Sequence, residues 1–251
     1  ALAGPIAAPD PNKIEVTARF LGPSPEHLLG TDNLGRDLFA RIAAGTRSAL
    51  LIALVVVAAS FVAGSMLGIV AGLVGGWTER AILAAFDVIS AFPVLILAFA
   101  LVALYGTGYL NLLFVVTVIF IPQFGRMARA RTLALRNQSF IEVERLLGLS
   151  MLKIVPRHFL PNVAGPLVVL ASMNVPVVIT VEAGLSFLGL GVQPPASSLG
   201  TLIKDGYIYL DQSWWPTIGA AGILALTTLG ATLFGEALRQ AIDPKLRGTH
   251  P

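Results

Sequence analysis

Residues 49–74 contain no charged side chain, and almost every one is apolar. As a helix, roughly 20 such residues at 1.5 Å each cross the ~30 Å hydrocarbon layer of a bilayer. Lipid offers no partner for a backbone N–H or C=O. The segment must therefore satisfy its own, as a helix does. Four further stretches repeat the pattern: 81–104, interrupted by Asp87 and Pro93; 110–123, continuing as helix past Arg126; 163–184, holding Asn174, Pro176 and Glu182; and 214–238. Alternating strands of the kind that build barrels are absent from the pattern. Pro93, Pro122, Pro176 and Pro216 can each kink a span or mark its end. The sequence predicts an all-α, polytopic membrane helix bundle with five full spans.

Composition agrees. Charged residues make up 12% of the chain and mean hydropathy is +0.80, against about 25% charged in soluble domains. The chain has no Cys, which excludes disulfides, thiolate metal sites and a Cys nucleophile. The net charge of +3 is explained by basic loops kept on the cytoplasmic side, without nucleic acid as a partner. Placing 139–162 in the cytoplasm and alternating outward puts Arg80, Arg126, Arg129, Arg131, Arg136, Arg145, Lys153, Arg157, Arg239, Lys245 and Arg247 inside. Lys13, Arg19, Arg36, Arg41, Arg47 and Lys204 are left outside. That bias has the sign of the positive-inside rule. Residues 1–48 read as an N-terminal stub plus an outer segment, of which 36–47 is amphipathic and lies at the membrane interface. Residues 1–13 look like the tail of an apolar segment; a short interfacial N-terminus is the other reading. Residues 49–238 form the transmembrane domain, with a cytoplasmic loop at 139–160, and 239–251 form a cytoplasmic tail.

Gly64, Gly68, Gly72 and Gly76 recur every fourth residue. Small residues at that spacing make a flat stripe that lets a second helix approach; lining a pore is the competing role. Asp87 and Glu182 are ionisable groups at or near membrane depth, where charges face protein or water. Asp87 reads equally as the partner of an arginine or as a transport group, and Glu182 as a structural hydrogen-bonding group or a gate. No G-x-x-x-x-G-K-[ST] occurs, so nucleotide hydrolysis is not expected here. His27, His158 and His250 lack metal-ligand spacing, and G-L-S-F-L-G at 184–189 follows a membrane span rather than a strand. The chain does not read as an enzyme.

One passage breaks the membrane pattern. In 139–162, S-F-I-E-V-E-R-L-L-G-L-S-M-L-K-I-V-P-R-H-F-L-P-N, Ser139 and Glu142 have capping-box spacing. A helix is predicted to start there and run about two turns to Gly148, which weakens or ends it. Phe140, Val143 and Leu147 fall on one face, flanked by Glu144 and Arg145. A short helix with an exposed apolar face needs something to cover it, either a protein or the lipid headgroups.

These residues resemble the E-A-A-x-x-x-G loop of binding-protein-dependent ABC importer permeases, in the dipeptide/oligopeptide/nickel branch. L-G-T-D-N-L-G-R-D at 29–37, F-D-V-I-S-A-F-P at 86–93, E-A-G-L-S-F-L-G-L-G-V-Q-P-P at 182–195 and L-R-Q-A-I-D-P-K-L-R at 238–247 match the same branch and its C-type subunit. The resemblance covers the chain in order. It implies a type I importer permease fold in a prokaryotic cytoplasmic membrane, the five spans being preceded by a truncated first helix. It also implies a second homologous permease, two ABC ATPase subunits and an extracytoplasmic solute-binding protein as partners. ATP and Mg would be held by the ATPases, with no cofactor in this chain. The helix 139–151, with Ser139, Phe140, Glu142, Val143, Glu144, Arg145, Leu147 and Gly148, would sit in an ATPase cleft. Segments 22–48 and 185–213 would face the binding protein, with Trp214 and Trp215 at the interface. Peptides are the implied cargo, nickel or another small solute the alternative within the family; an ATP-independent carrier or channel is the competing class. The chain departs from the family at Val143 and Glu144, where alanines are usual, making the exposed helix face bulkier and more acidic. It departs also at Leu199, where a tryptophan is common, so that an outer-surface aromatic anchor is missing.

Overall fold

The first long helix starts well before the uncharged run. Asp37 accepts a bond from the Ala40 N–H at 2.8 Å, satisfying a donor that the helix start leaves free. From that cap α1 runs Leu38–Val74, 37 residues. Residues 38–47 are thus its opening turns, not a separate interfacial segment. Arg41 is 3% exposed; it points at the Asp32 carboxylate rather than at a headgroup layer. The structure, a computed structural model, describes residues 10–242. The predicted stub at 1–9 and the tail residues 243–251 lie outside the described residues.

Beyond α1 come α2 (Gly76–Ser90), α3 (Val94–Tyr105), α4 (Tyr109–Arg136), α5 (Ser139–Leu146), α6 (Met151–Ile154), a π-type turn at Val155–Phe159, α7 (Leu160–Phe187), α8 (Leu199–Ile208) and α9 (Trp215–Ile242). The predicted span 81–104 is broken: α2 and α3 meet at 98°. Proline explains the break. Pro93 has no N–H, its ring collides with the carbonyl one turn back, and it steers the preceding residue away from the helical region. Four described helices are long and apolar enough to cross a membrane, or five if the bent pair is one span. Pro122 stays inside α4 and Pro176 inside α7, whereas Pro216 sits in the first turn of α9, where its missing donor costs nothing.

By packing, the chain divides into two units. One is Ala1–Val55, Ala98–Val115 and Val175–Thr232; the other is Val56–Leu97, Val116–Asn174 and Leu233–Pro251. Lys13, Arg19, Arg36, Arg41, Arg47 and Lys204, the cations that charge counting set outside, belong to the first. Arg80, Arg126, Arg129, Arg131, Arg136, Lys153, Arg157 and Arg239 belong to the second. In the first unit Ile42, Leu199, Leu202 and Ala220 form a buried cluster. Leu199 is fully buried. The position read as an outer-surface anchor site is therefore part of the core.

In the second unit the glycine stripe is a packing seam. A Cβ on Gly64 would meet Ile121 O and Phe124, one on Gly68 would strike Gly125 O and Ala128, and one on Gly72 would strike Thr132. Backbones of α1 and α4 touch there because neither side carries bulk. Across the seam the Ser60 hydroxyl donates to Thr117 O at 3.0 Å. Gly76 does not belong to the stripe. It opens α2 with φ +60° and has open space where a Cβ would stand, because α1 has already ended at Val74.

Gly68→Leu tests the seam. Overpacking of this kind costs about 1–3 kcal/mol, so the variant is expected to unfold at a lower temperature in detergent than the parent protein. An unchanged melting curve would mean that the helices part there freely.

Candidate functional site

The connection between α4 and α7 is built to hold one short helix in a fixed posture. The N–H groups of Ile141 and Glu142 both donate to Gln138 O. The start is where the sequence places it, but Gln138 is the capping residue and Ser139 already lies in the helix. The predicted Ser139–Glu142 capping box is therefore one residue out of register. The end is set by Gly148. The Leu149 N–H closes back onto Glu144 O at 3.1 Å, and Gly148 has φ +82°. A side chain pays steric energy in that left-handed region and glycine does not, so the chain turns there in a Schellman close. α5 therefore ends at Leu146, just before the glycine at which the sequence places its end; the longer helix 139–151 that the resemblance implies is broken there, and α6 is a separate turn.

Two faces result. Ile141 is 1% exposed and packs with Ile154 and Phe159; Leu73, Leu135, Leu149, Met151 and Val155 surround the three. Phe140, Val143, Leu146 and Leu147 face outward, the last two at 82% and 74% exposure. The predicted apolar face at Phe140, Val143 and Leu147 is thus present and exposed, Phe140 least of the three. Glu142 is exposed as well, at the start of the helix. The backbone of Arg145 belongs to α5, and its side chain lies outside the described ones. Glu144 departs from expectation. It turns inward, one helical turn from Ile141, and its Oε1 lies 2.8 Å from His158 Nε2. The outward face is therefore no more acidic for having Glu144. Ile141 and His158 escaped the sequence reading. Ile141 was detectable as the apolar residue opposite the exposed stripe, whereas nothing near His158 in sequence points to a glutamate 14 residues back.

Asp87 and Arg126 pair at 2.8 Å, and Arg126 also reaches Ser90 Oγ at 3.3 Å. Arg129 Nε donates to Glu79 at 2.6 Å. Two arginines of α4 thus hold two carboxylates of α2. Of the two readings of Asp87, the geometry matches the arginine partner.

In the other unit Glu182 is fully buried. Its Oε1 accepts from Ser186 Oγ at 2.6 Å and from Ser198 Oγ at 2.9 Å. Ser198 in turn accepts from the Gly200 N–H at 3.1 Å as the cap of α8. One carboxylate oxygen therefore ties the last turns of α7 to the start of α8, while Oε2 has no partner. The L-G-T-D-N-L-G-R-D passage is equally knotted. Asp32 accepts from the N–H groups of Leu34 and Arg36 at 2.8 and 2.9 Å and from Arg36 Nε at 2.6 Å, and His27 Nδ1 lies 2.9 Å from Asp37. Burial raises the carboxyl pKa of nearby Asp205, against the opposing pull of Arg36 and Arg41. The stacked rings of Trp214 and Trp215, 4.1 Å apart, stand at the start of α9. Among the described residues no three His, Asp or Glu side chains gather into a metal site.

Residues 64–248 match the family described as binding-protein-dependent transport system inner membrane component. The chain is 36% identical over 243 residues to a protein of Escherichia coli named as a probable D,D-dipeptide transport system permease, covering 97% of this chain and 82% of that one. It is 39% identical over 226 residues to the glutathione transport system permease of Pectobacterium atrosepticum, covering 90% and 75%. In fold it is similar to a chain of the MetNI methionine ABC transporter solved in inward-facing conformations. The TM-score is 0.65 at 19% identity, over 82% of this chain and 98% of that one.

Glu182→Leu removes the acceptor shared by two hydroxyls, and stranding a buried donor costs about 1–3 kcal/mol. Glu182→Gln keeps that acceptor. The leucine variant is expected to melt at a lower temperature than the glutamine variant. Equal melting would remove the shared oxygen from its structural role.

Proposed function

This chain belongs to the family of binding-protein-dependent transport system inner membrane components, and on that premise we propose that it moves short peptides inward through a prokaryotic cytoplasmic membrane by alternating access. A member of such a system works with a binding protein and an ATPase. In the fuller arrangement, a second homologous permease completes the pathway and two ATPase subunits grip the pair. ATP and Mg are then bound by those subunits, and this chain contributes no nucleotide chemistry.

The observation that carries the reading is the posture of α5. Its outward face shows Val143, Leu146 and Leu147 uncovered and Phe140 uncovered in part, while Ile141 is locked inward. A short helix so held presents an apolar surface without collapsing onto it, as a docking element must. Glu142, Val143 and Gly148 lie on that exposed side and would meet the ATPase cleft. Arg145 belongs to the same proposed contact. Asp87 and Glu182 are each engaged by neighbours, which suits structural groups better than the proton relay of a carrier working without ATP. Peptide cargo is supported by the relatives named for a D,D-dipeptide and for glutathione, and nickel is correspondingly less favoured.

Gly148→Asp places a charged side chain at φ +82° on open surface. The variant is expected to lose copurification of the ATPase and substrate-stimulated hydrolysis in the reconstituted complex. Intact transport would refute docking at α5. Cargo is tested by identifying what copurifies with the cognate binding protein and supplying it to proteoliposomes with ATP. Uptake of short peptides is expected, and uptake of nickel alone would overturn the peptide assignment.

A further inference from the structure

A helix of eight residues that receives force needs more than one attachment. Ile141 supplies the first, by burial against Ile154 and Phe159. Apolar contact of this kind is non-directional. It resists pressing but leaves the helix free to roll about its own axis.

The second attachment lies one turn further along the same face. His158 Nε2 is 2.8 Å from Glu144 Oε1, with both side chains mostly buried, at 23% and 21% exposure. The His158 ring also meets the Phe140 ring edge-on, with centroids 5.6 Å apart. One imidazole thus touches α5 at two positions four residues apart, Phe140 and Glu144, which stack on one side of the helix next to Ile141. His158 belongs to the π-type turn at Val155–Phe159, which runs directly into α7. Phe159, beside it, anchors Ile141. Adjacent residues of a single turn hold α5 at two points, one apolar and one polar and directional.

We propose that His158 is a positioning residue for coupling: by holding Glu144 and bracing Phe140 it sets the rotation of α5, so that force on the outward apolar face passes into α7. The assignment rests on the docking role of α5. It also gives Glu144 a function distinct from contact with the ATPase. Losing the bond leaves α5 seated on Ile141 but free to roll, so the ATPase still binds while part of its stroke is spent turning the helix.

The test uses the reconstituted complex with its ATPases and binding protein, and reads transported cargo per ATP hydrolysed alongside ATPase copurification. His158→Phe keeps the ring beside Phe140 and removes the bond. His158→Gln keeps an amide donor near the Nε2 position. Loss of a hydrogen bond to a charged group is worth roughly tenfold. His158→Phe is therefore expected to lower cargo per ATP by about that factor with the ATPase still bound, and His158→Gln to restore most of it. Glu144→Ala combined with His158→Phe is expected to be no worse than His158→Phe alone. Equal ratios for the Phe and Gln variants, or additive losses in the double variant, would overturn the assignment. Gly148→Asp separates the two ideas. If it abolishes ATPase binding while His158→Phe leaves the ratio unchanged, docking stands and the His158 role falls. If the ATPase stays bound to Gly148→Asp, the docking premise itself has failed.

Discussion

The close approach of α1 and α4 is the contact on which the rest of the second unit depends. In lipid the hydrophobic effect does not drive helices together; van der Waals contact and interhelical hydrogen bonds do. Gly64, Gly68 and Gly72 bring the two backbones within touching distance. With α4 so placed, its Arg126 and Arg129 hold Asp87 and Glu79 of α2. Phe86 fills the space that Gly125 leaves open. The ends of the same two helices supply Leu73 and Leu135, which complete the apolar seat of α5. A seam of three glycines thus underlies the placement of the element that meets the ATPase in the proposed function.

The first unit adds polar contacts to its apolar cluster. Asp32, Asp37 and Glu182 each accept from more than one group, or from a group in a different segment. The loop before α1 and the loop before α8 are fixed in this way, by side chains tied to backbone rather than by regular structure. Such loops are where a rigid scaffold presents contact surface. Glu182 and Asp32 are ionisable residues, each engaged by hydrogen bonds from its neighbours.

Hydropathy marked out the spans because every residue of a helix in lipid must be tolerated there. The pattern is local and needs no knowledge of neighbours. Gly148 was legible for the same kind of reason, since a glycine after two amphipathic turns suits the left-handed close that ends the helix. The start of α1 was misplaced because Arg41 looked like an interfacial charge; its partner Asp32 becomes evident only when the loop folds over it. The bend at Pro93 was foreseeable as a kink, but its 98° angle is not, because a missing donor and a ring clash fix where a helix breaks and not how far it turns.

The chain alone therefore determined that this is a helical membrane protein, and where the short helix α5 begins and turns. Each of these is decided within a few consecutive residues by backbone sterics and transfer energy. Tertiary structure decided which side of that helix faces inward, that Glu144 meets His158, that Leu199 is core, and that Gly76 leaves the stripe its spacing suggests. Those outcomes depend on the register between segments far apart in sequence, which is set by close packing and by the need of buried polar groups to find partners.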